Sequence, residues 1–189
     1  IEGWGFVGSL AHGPLAGGVE PRTIRKKDVF EASWFPHGKY KAVVRPQPGR
    51  SQLVIVPGNR IVYATAGYIS HVSVAPNGKQ IAFVVHPVYA DDAGFVKLID
   101  VESVIADREG GIADDESADV EDASLRNYKR DPLSTGEFAS IQGLAWSPDG
   151  EEIWFTGLPM DETRGIFALT PAGKQRLVWR GPGDMRLHD

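Results

Sequence analysis

Few side chains in this sequence carry the chemistry of a site, and their types and spacing limit what that chemistry is. His71 and His86 stand in the middle of the chain, and His188 is next to its last residue. An imidazole titrates near neutrality and serves as acid, base or metal ligand. With Glu31 and Gln142, the residues His71 and His188 offer metal-type or anion-type ligands, provided that the fold brings the four together. The same histidines also read as hydrogen-bonded packing residues, with Pro87 fixing the chain after His86. Asp91-Asp92 falls in a loop between Tyr89 and Gly94. Calcium needs several converging oxygens, whereas a lone acidic pair in a turn serves to hold that turn. His86, Asp91 and Asp92 are therefore candidate loop contacts.

Linear catalytic motifs do not occur. "GWGFVG" at 3–8 has the GxGxxG spacing. A dinucleotide site needs that spacing between a strand and a helix, and a kinase needs a strand lysine, H-R-D and D-F-G after it. None follows, and glycines in a twisted strand or its bulge account for the match. There is no G-x-S-x-G, P-loop, H-E-x-x-H or EF-hand pattern. Ser70, Ser73 and Ser140 lie on strand segments, where hydroxyls satisfy local backbone groups. No catalytic residue, metal or cofactor is expected on this reading.

The elements that must position these residues repeat. "ASWFPHGKYKAVV" from Ala32, "VSVAPNGKQIAFVV" from Val72 and "LAWSPDGEEIWF" from Leu144 align on Pro36, Pro76 and Pro148, spaced by 40 and 72 residues. In each, an apolar strand enters a turn. Proline presets φ for a type I turn, and glycine takes the left-handed conformation that other residues resist. A β-branched or aromatic strand then leaves: residues 40–44, 80–85 and 152–156. Turns at 46–49 and 57–59 lead to strands at 52–56 and 60–65, and later ones lead to strands at 165–169 and 175–180. Four short strands per unit of about 40 residues mark a β-propeller blade.

The expected fold is therefore all-β: an incomplete β-propeller of four-stranded antiparallel blades, about three and a half to four in number. The whole chain, 1–189, reads as one partial propeller domain. Its blades fall at 1–27 (incomplete), 28–68, 69–139 and 140–181, with 182–189 starting another. Glu31, His71 and Gly143 occupy equivalent points near inner-strand starts, which converge on one mouth of a propeller axis. This is where Glu31, His71, Gln142 and His188 are expected to meet as a ligand-binding set. Trp34, Val74 and Trp146 share one repeat position, which suits packing between blades. Trp154 and Trp179 are expected to pack as well.

The repeat resembles the PD40 (WD40-like, TolB-type) propeller, whose S-P-D-G hallmark stands at Ser147–Gly150. The stretches "GPLAGGVEPR", "YATAGYISHVSVAPNGKQIAFVVHPVYADDAG", "IQGLAWSPDGEEIWFT" and "LHD" occur in this order. As a set they resemble the C-terminal propeller of bacterial, notably acidobacterial, serine/threonine protein kinases. That resemblance implies a non-catalytic binding or sensor module of a larger, membrane-anchored receptor-like protein. It implies an unidentified small molecule or protein as partner and an extracytoplasmic place for this part. Such propellers usually have six or more blades.

Composition narrows the remaining classes. Residues 102–131 hold ten acids and four bases, a local −6 within a chain of net −5, so the rest is +1. A nucleic-acid binder shows a basic face instead. No apolar run is long enough for a membrane-spanning helix, and the absence of cysteine excludes disulfides. The start lacks an initiator Met and a basic leader, so the chain reads as a piece of something longer. The acidic insertion at 103–132 reads as a solvated loop, with a short helix at 118–128 and a basic partner as its functional option. Two other functions compete with binding. One is a hydrolase or lyase with a metal or histidine site at the channel mouth. The other is a structural module that forms homo-oligomers through open blade faces.

Overall fold

A computed structural model of the chain describes residues 7–14, 16–109, 132–181, 183 and 185–187. Three four-stranded antiparallel sheets follow one another among these residues. The first comprises β3 (Glu31–Trp34), β4 (Lys41–Gln47), β5 (Arg50–Val56) and β6 (Arg60–Thr65). The second comprises β7 (Tyr68–Val74), β8 (Gln80–His86), β9 (Phe95–Asp100) and β10 (Leu133–Ser134). The third comprises β11 (Ser140–Trp146), β12 (Ile153–Leu158), β13 (Gly165–Leu169) and β14 (Gln175–Arg180). Each is a meander in which sequence neighbours pair. Ahead of them β1 (Gly8–His12) pairs with β2 (Arg22–Val29). Successive sheets touch through β2 and β4, β3 and β7, and β7 and β11. They do not close into a ring. This is an incomplete β-propeller with its inner strands β3, β7 and β11 side by side.

The proline–glycine corners are equivalent in detail. Gly38, Gly78 and Gly150 each donate their amide to the carbonyl three residues back, at 2.8 Å in all three. Their φ values are 67°, 70° and 73°, a region where a side chain is strained. The corners also stack, Gly78 against Pro36 and Gly150 against Pro76. A fourth turn of the same kind, Thr170-Pro171-Ala172-Gly173, joins β13 to β14.

Middle strands β4 and β8 read as continuous apolar runs because both faces of their sheets are covered. In β8, Ile81, Phe83 and Val85 pack toward the first sheet, and Ala82 and Val84 pack toward the third. Strand β4 divides likewise: Ala42 and Val44 face the second sheet, and Val43 packs with Val29 of β2. Each buried side chain of this size contributes ~1.5–3 kcal/mol, so the sheet-to-sheet faces supply the main cohesion.

Two features differ from the sequence reading. The acidic segment opens with a helix, α1 (Glu102–Glu109), rather than with loop. Asp100 Oδ1 accepts the Glu102 amide at 3.0 Å as a cap, and Val101 and Val104 bury in the core under the helix start. Charge content had masked this apolar pair. The expected helix at 118–128 lies outside the described residues. Trp179 is also not packed: it is 48% exposed on β14. Trp146 does join blades, its indole Nε1 donating to the Ser73 carbonyl at 3.1 Å.

Candidate functional site

An edge strand of an antiparallel sheet sends alternate amides to its partner and the others away from the sheet. Ser73 lies opposite Ala82, and Ala145 opposite Trp154. Val72 and Val74 in β7 therefore match Leu144 and Trp146 in β11. The outward amides of β7 are taken by β3: Val72 N donates to Glu31 Oε1 at 2.8 Å, and Val74 N donates to Ser33 Oγ at 3.1 Å. Side chains of one inner strand thus close the free edge of the next.

Both β7 and β11 carry a bulge at the same place, between Ser70 and Ser73 and between Ile141 and Leu144. The bulged residues His71 and Gly143 have φ of 51° and 89°. By the repeat, His71 stands toward β11 as Glu31 stands toward β7, yet it does not reach for the next edge. Its Nδ1 lies 2.8 Å from Ser70 Oγ, which lies 2.7 Å from His86 Nε2. His86 Nδ1 in turn lies 3.0 Å from the Ala93 carbonyl. A carbonyl only accepts, so His86 donates from Nδ1 and its Nε2 accepts the Ser70 hydroxyl proton. Ser70 Oγ then accepts from His71 Nδ1–H, which leaves His71 Nε2 as an acceptor with no donor among the described residues. Tyr68 stacks flat on His86 at 4.0 Å, and its hydroxyl donates to the Asp91 carbonyl at 2.7 Å.

Among the described residues no side chain meets the Leu144 amide. A cavity of about 170 Å³ lies there instead, lined by Glu31, His71, Gly143, Leu144, Arg186 and Leu187. Gly143 is required: a Cβ on it would strike the Leu187 carbonyl and sit 2.8 Å from Leu187 N. Thr156 Oγ1 accepts the Leu187 amide at 2.9 Å and holds that wall.

Burial pushes Glu31 up to about 6, against the pull of the Val72 and His71 amides. Burial, then the Arg186 charge and then His86, bring His71 down to about 4. Burial also lowers His86. Burial, followed by Asp92 and Asp91, pushes Tyr68 up to about 12. At neutral pH the recess thus holds a carboxylate, a neutral imidazole acceptor and a guanidinium. Chemically, the carboxylate and the imidazole can accept hydrogen bonds and the guanidinium can donate them.

The structure sorts the candidates from the sequence. Glu31 and His71 line one cavity. Gln142 does not line it: its Nε2 donates to Asp92 Oδ2 at 3.3 Å. His188 lies outside the described residues. His86 is a buried strand residue, 2% exposed, bonded both to Ser70 and to the loop carbonyl of Ala93. Asp91 Oδ1 accepts the Ala93 amide at 3.0 Å, and the Asp92 carbonyl accepts the Ile141 amide at 3.0 Å. Both acids hold their loop. Among the described residues no three His, Cys, Asp or Glu converge on a metal position.

Sequence reasoning missed Ser70 and Arg186. Ser70 does not serve its local backbone: it bridges two imidazoles. The signal was available, because Ser70 pairs with Val84 and His86, two residues further along β8, projects from the same face. Arg186 gave no signal beyond standing two residues before His188. A larger recess of about 610 Å³ lies where the β4–β5, β6–β7 and β8–β9 loops gather, with Phe30, Tyr68, Ile69 and Tyr89 among its walls.

No protein-family model and no curated protein matches the sequence. Solved structures do. A putative TolB from Agrobacterium tumefaciens matches with a TM-score of 0.53 at 12% identity, over 86% of this chain and 53% of that one. The β-propeller domain of Cps50 (Swd1) from Myceliophteria thermophila matches with a TM-score of 0.50 at 12% identity, over 88% and 52%. The β-propeller domain of the Trilobed protease from Pyrococcus furiosus matches with a TM-score of 0.50 at 12% identity, over 86% and 46%. The chain spans about half the length of these structures. At such identity the likeness speaks to fold alone: the chain has a β-propeller fold.

Proposed function

We propose that this chain is a non-catalytic recognition module that reads a small ligand or a protein group at its axial recess. The propeller fold suggests a protein-binding module. The observation that carries the reading is the polar cavity between β7 and β11, where Glu31, a neutral His71 and Arg186 meet beside an edge amide that no side chain among the described residues takes. Perturbed groups in a recess mark functional sites. In the wider protein this module stands C-terminal to a serine/threonine kinase domain, as the resemblance of the phrase set implies.

A library of small metabolites and short peptides, scored at once for thermal shift and for chemical change, tests the reading. At least one compound raises the unfolding temperature and is recovered unchanged. Conversion of a bound compound overturns the non-catalytic part, and the absence of any shift overturns recognition. The parent reading frame tests the kinase link: a glycine loop, strand lysine, H-R-D and D-F-G upstream support it.

One observation favours a second reading. His71 presents an Nε2 with no donor among the described residues, backed by the chain through Ser70 and His86 to the Ala93 carbonyl. That is the arrangement of an oriented general base in a hydrolase or lyase. The same screen decides, since this reading requires turnover that His71→Ala removes.

A further inference from the structure

The two inner-strand junctions offer a template for what the recess holds. At the first, Glu31 Oε1 receives the outward Val72 amide at 2.8 Å. At the second, the matching outward amide belongs to Leu144, and the matching side chain, His71, is turned onto Ser70. Leu144 lines the cavity together with Arg186. The repeat itself therefore defines a carboxylate position in the recess, with a guanidinium to balance its charge.

The opposite wall asks for a different group. Glu31 gives one oxygen to the Val72 amide and keeps lone pairs to spare. His71 Nε2 is an acceptor with no donor among the described residues. Two acceptors, one of them charged, suit an ammonium, which brings three donors. The side chains of the recess sum to no net charge at neutral pH, with Glu31 opposed by Arg186. A volume of about 170 Å³ is below the ~300–1,000 Å³ typical of drug-sized ligands.

Resting on the recognition reading above, we propose that the recess between β7 and β11 binds a free α-amino acid. Its carboxylate lies on the Leu144 amide and the Arg186 guanidinium. Its ammonium lies between Glu31 and His71 Nε2. The amine and the carboxylate are read together, and neither half suffices alone.

Amide-resolved NMR on the full 189-residue chain at pH 7 tests this with three probes: glycine, acetate and methylammonium. Glycine is expected to move the Leu144 and His71 amides in a saturable way, and the other two to leave them in place. Arg186→Ala and Glu31→Gln each weaken glycine at least ~10-fold, the loss of one charged partner. Arg186 is exposed, so its variant keeps the fold if Glu31→Gln does not. Equal shifts with acetate or with methylammonium overturn the proposal, as does no saturable shift up to ~50 mM glycine. If glycine fails while another compound of the library moves the same amides, this assignment falls and recognition at the recess stands. If no compound moves them, both fall.

Discussion

Between β3 and β7 a carboxylate closes the free edge of the next inner strand, whereas between β7 and β11 a histidine in the same repeat position turns back into its own sheet. Glu31 spends one oxygen on the Val72 amide. His71 bonds Ser70, and a cavity opens where a second carboxylate would have been. The same backbone device, a bulge with a left-handed residue, produces a sealed joint once and a recess once. The two joints thus differ in one side chain, in its hydrogen-bond partner and in the backbone beneath it, regularly paired at Glu31 and left-handed at His71.

The largest expected break in this comparison is Gly143→Ala. The added Cβ meets the Leu187 carbonyl at φ 89°, and the cost is about 3 kcal/mol or more from strain and overpacking. Urea unfolding measures it, with Gly136→Ala as the control, because a Cβ there meets nothing within 4 Å.

Ser70→Ala comes next. It strips His71 Nδ1 and His86 Nε2 of their shared partner, at about 2 kcal/mol for buried groups left unsatisfied. The same variant frees His71 to turn, so it is also expected to alter the Leu144 amide shift. Trp146→Phe removes the indole bond to the Ser73 carbonyl and is expected to cost about 1 kcal/mol.

The smallest effect is in pH dependence, where the two side chains oppose each other. Glu31 is raised from 4.5 to about 6, so its contribution is present below 4.5 and is lost as pH rises through 6. His71 is lowered from 6.5 to about 4, so its contribution is present above 6.5 and is lost as pH falls through 4. The two slopes largely offset in the unaltered chain. Glu31→Gln exposes the histidine slope: stability then climbs more steeply between pH 4 and 6.5. Denaturant midpoints across that range read it, and an unchanged profile contradicts the burial assigned to both groups.

How much of this was legible in the sequence follows from what repeats and what does not. The corners at Pro36, Pro76 and Pro148 announce themselves because a left-handed glycine after proline is a local requirement. The alignment of Glu31, His71 and Gly143 follows from the same spacing, and those three residues do sit at matching joints. The partners of His71 were not legible. Whether a histidine reaches across to the next sheet or back to its own serine depends on a rotamer set by His86 and Ala93, which are 15 and 22 positions away along the chain. Helix α1 was hidden for another reason. The buried Val101 and Val104 at its start are outnumbered by the charged residues Glu102, Asp107, Arg108 and Glu109 in the sequence that follows.

The central claim is that position 71 stands to Leu144 as Glu31 stands to Val72, and His71→Glu tests it most directly. The new carboxylate is expected to take the Leu144 amide: its proton resonance moves downfield, its exchange slows, and glycine no longer binds. A Leu144 amide that keeps its resonance and exchange rate in that variant, with glycine still bound, would contradict the account.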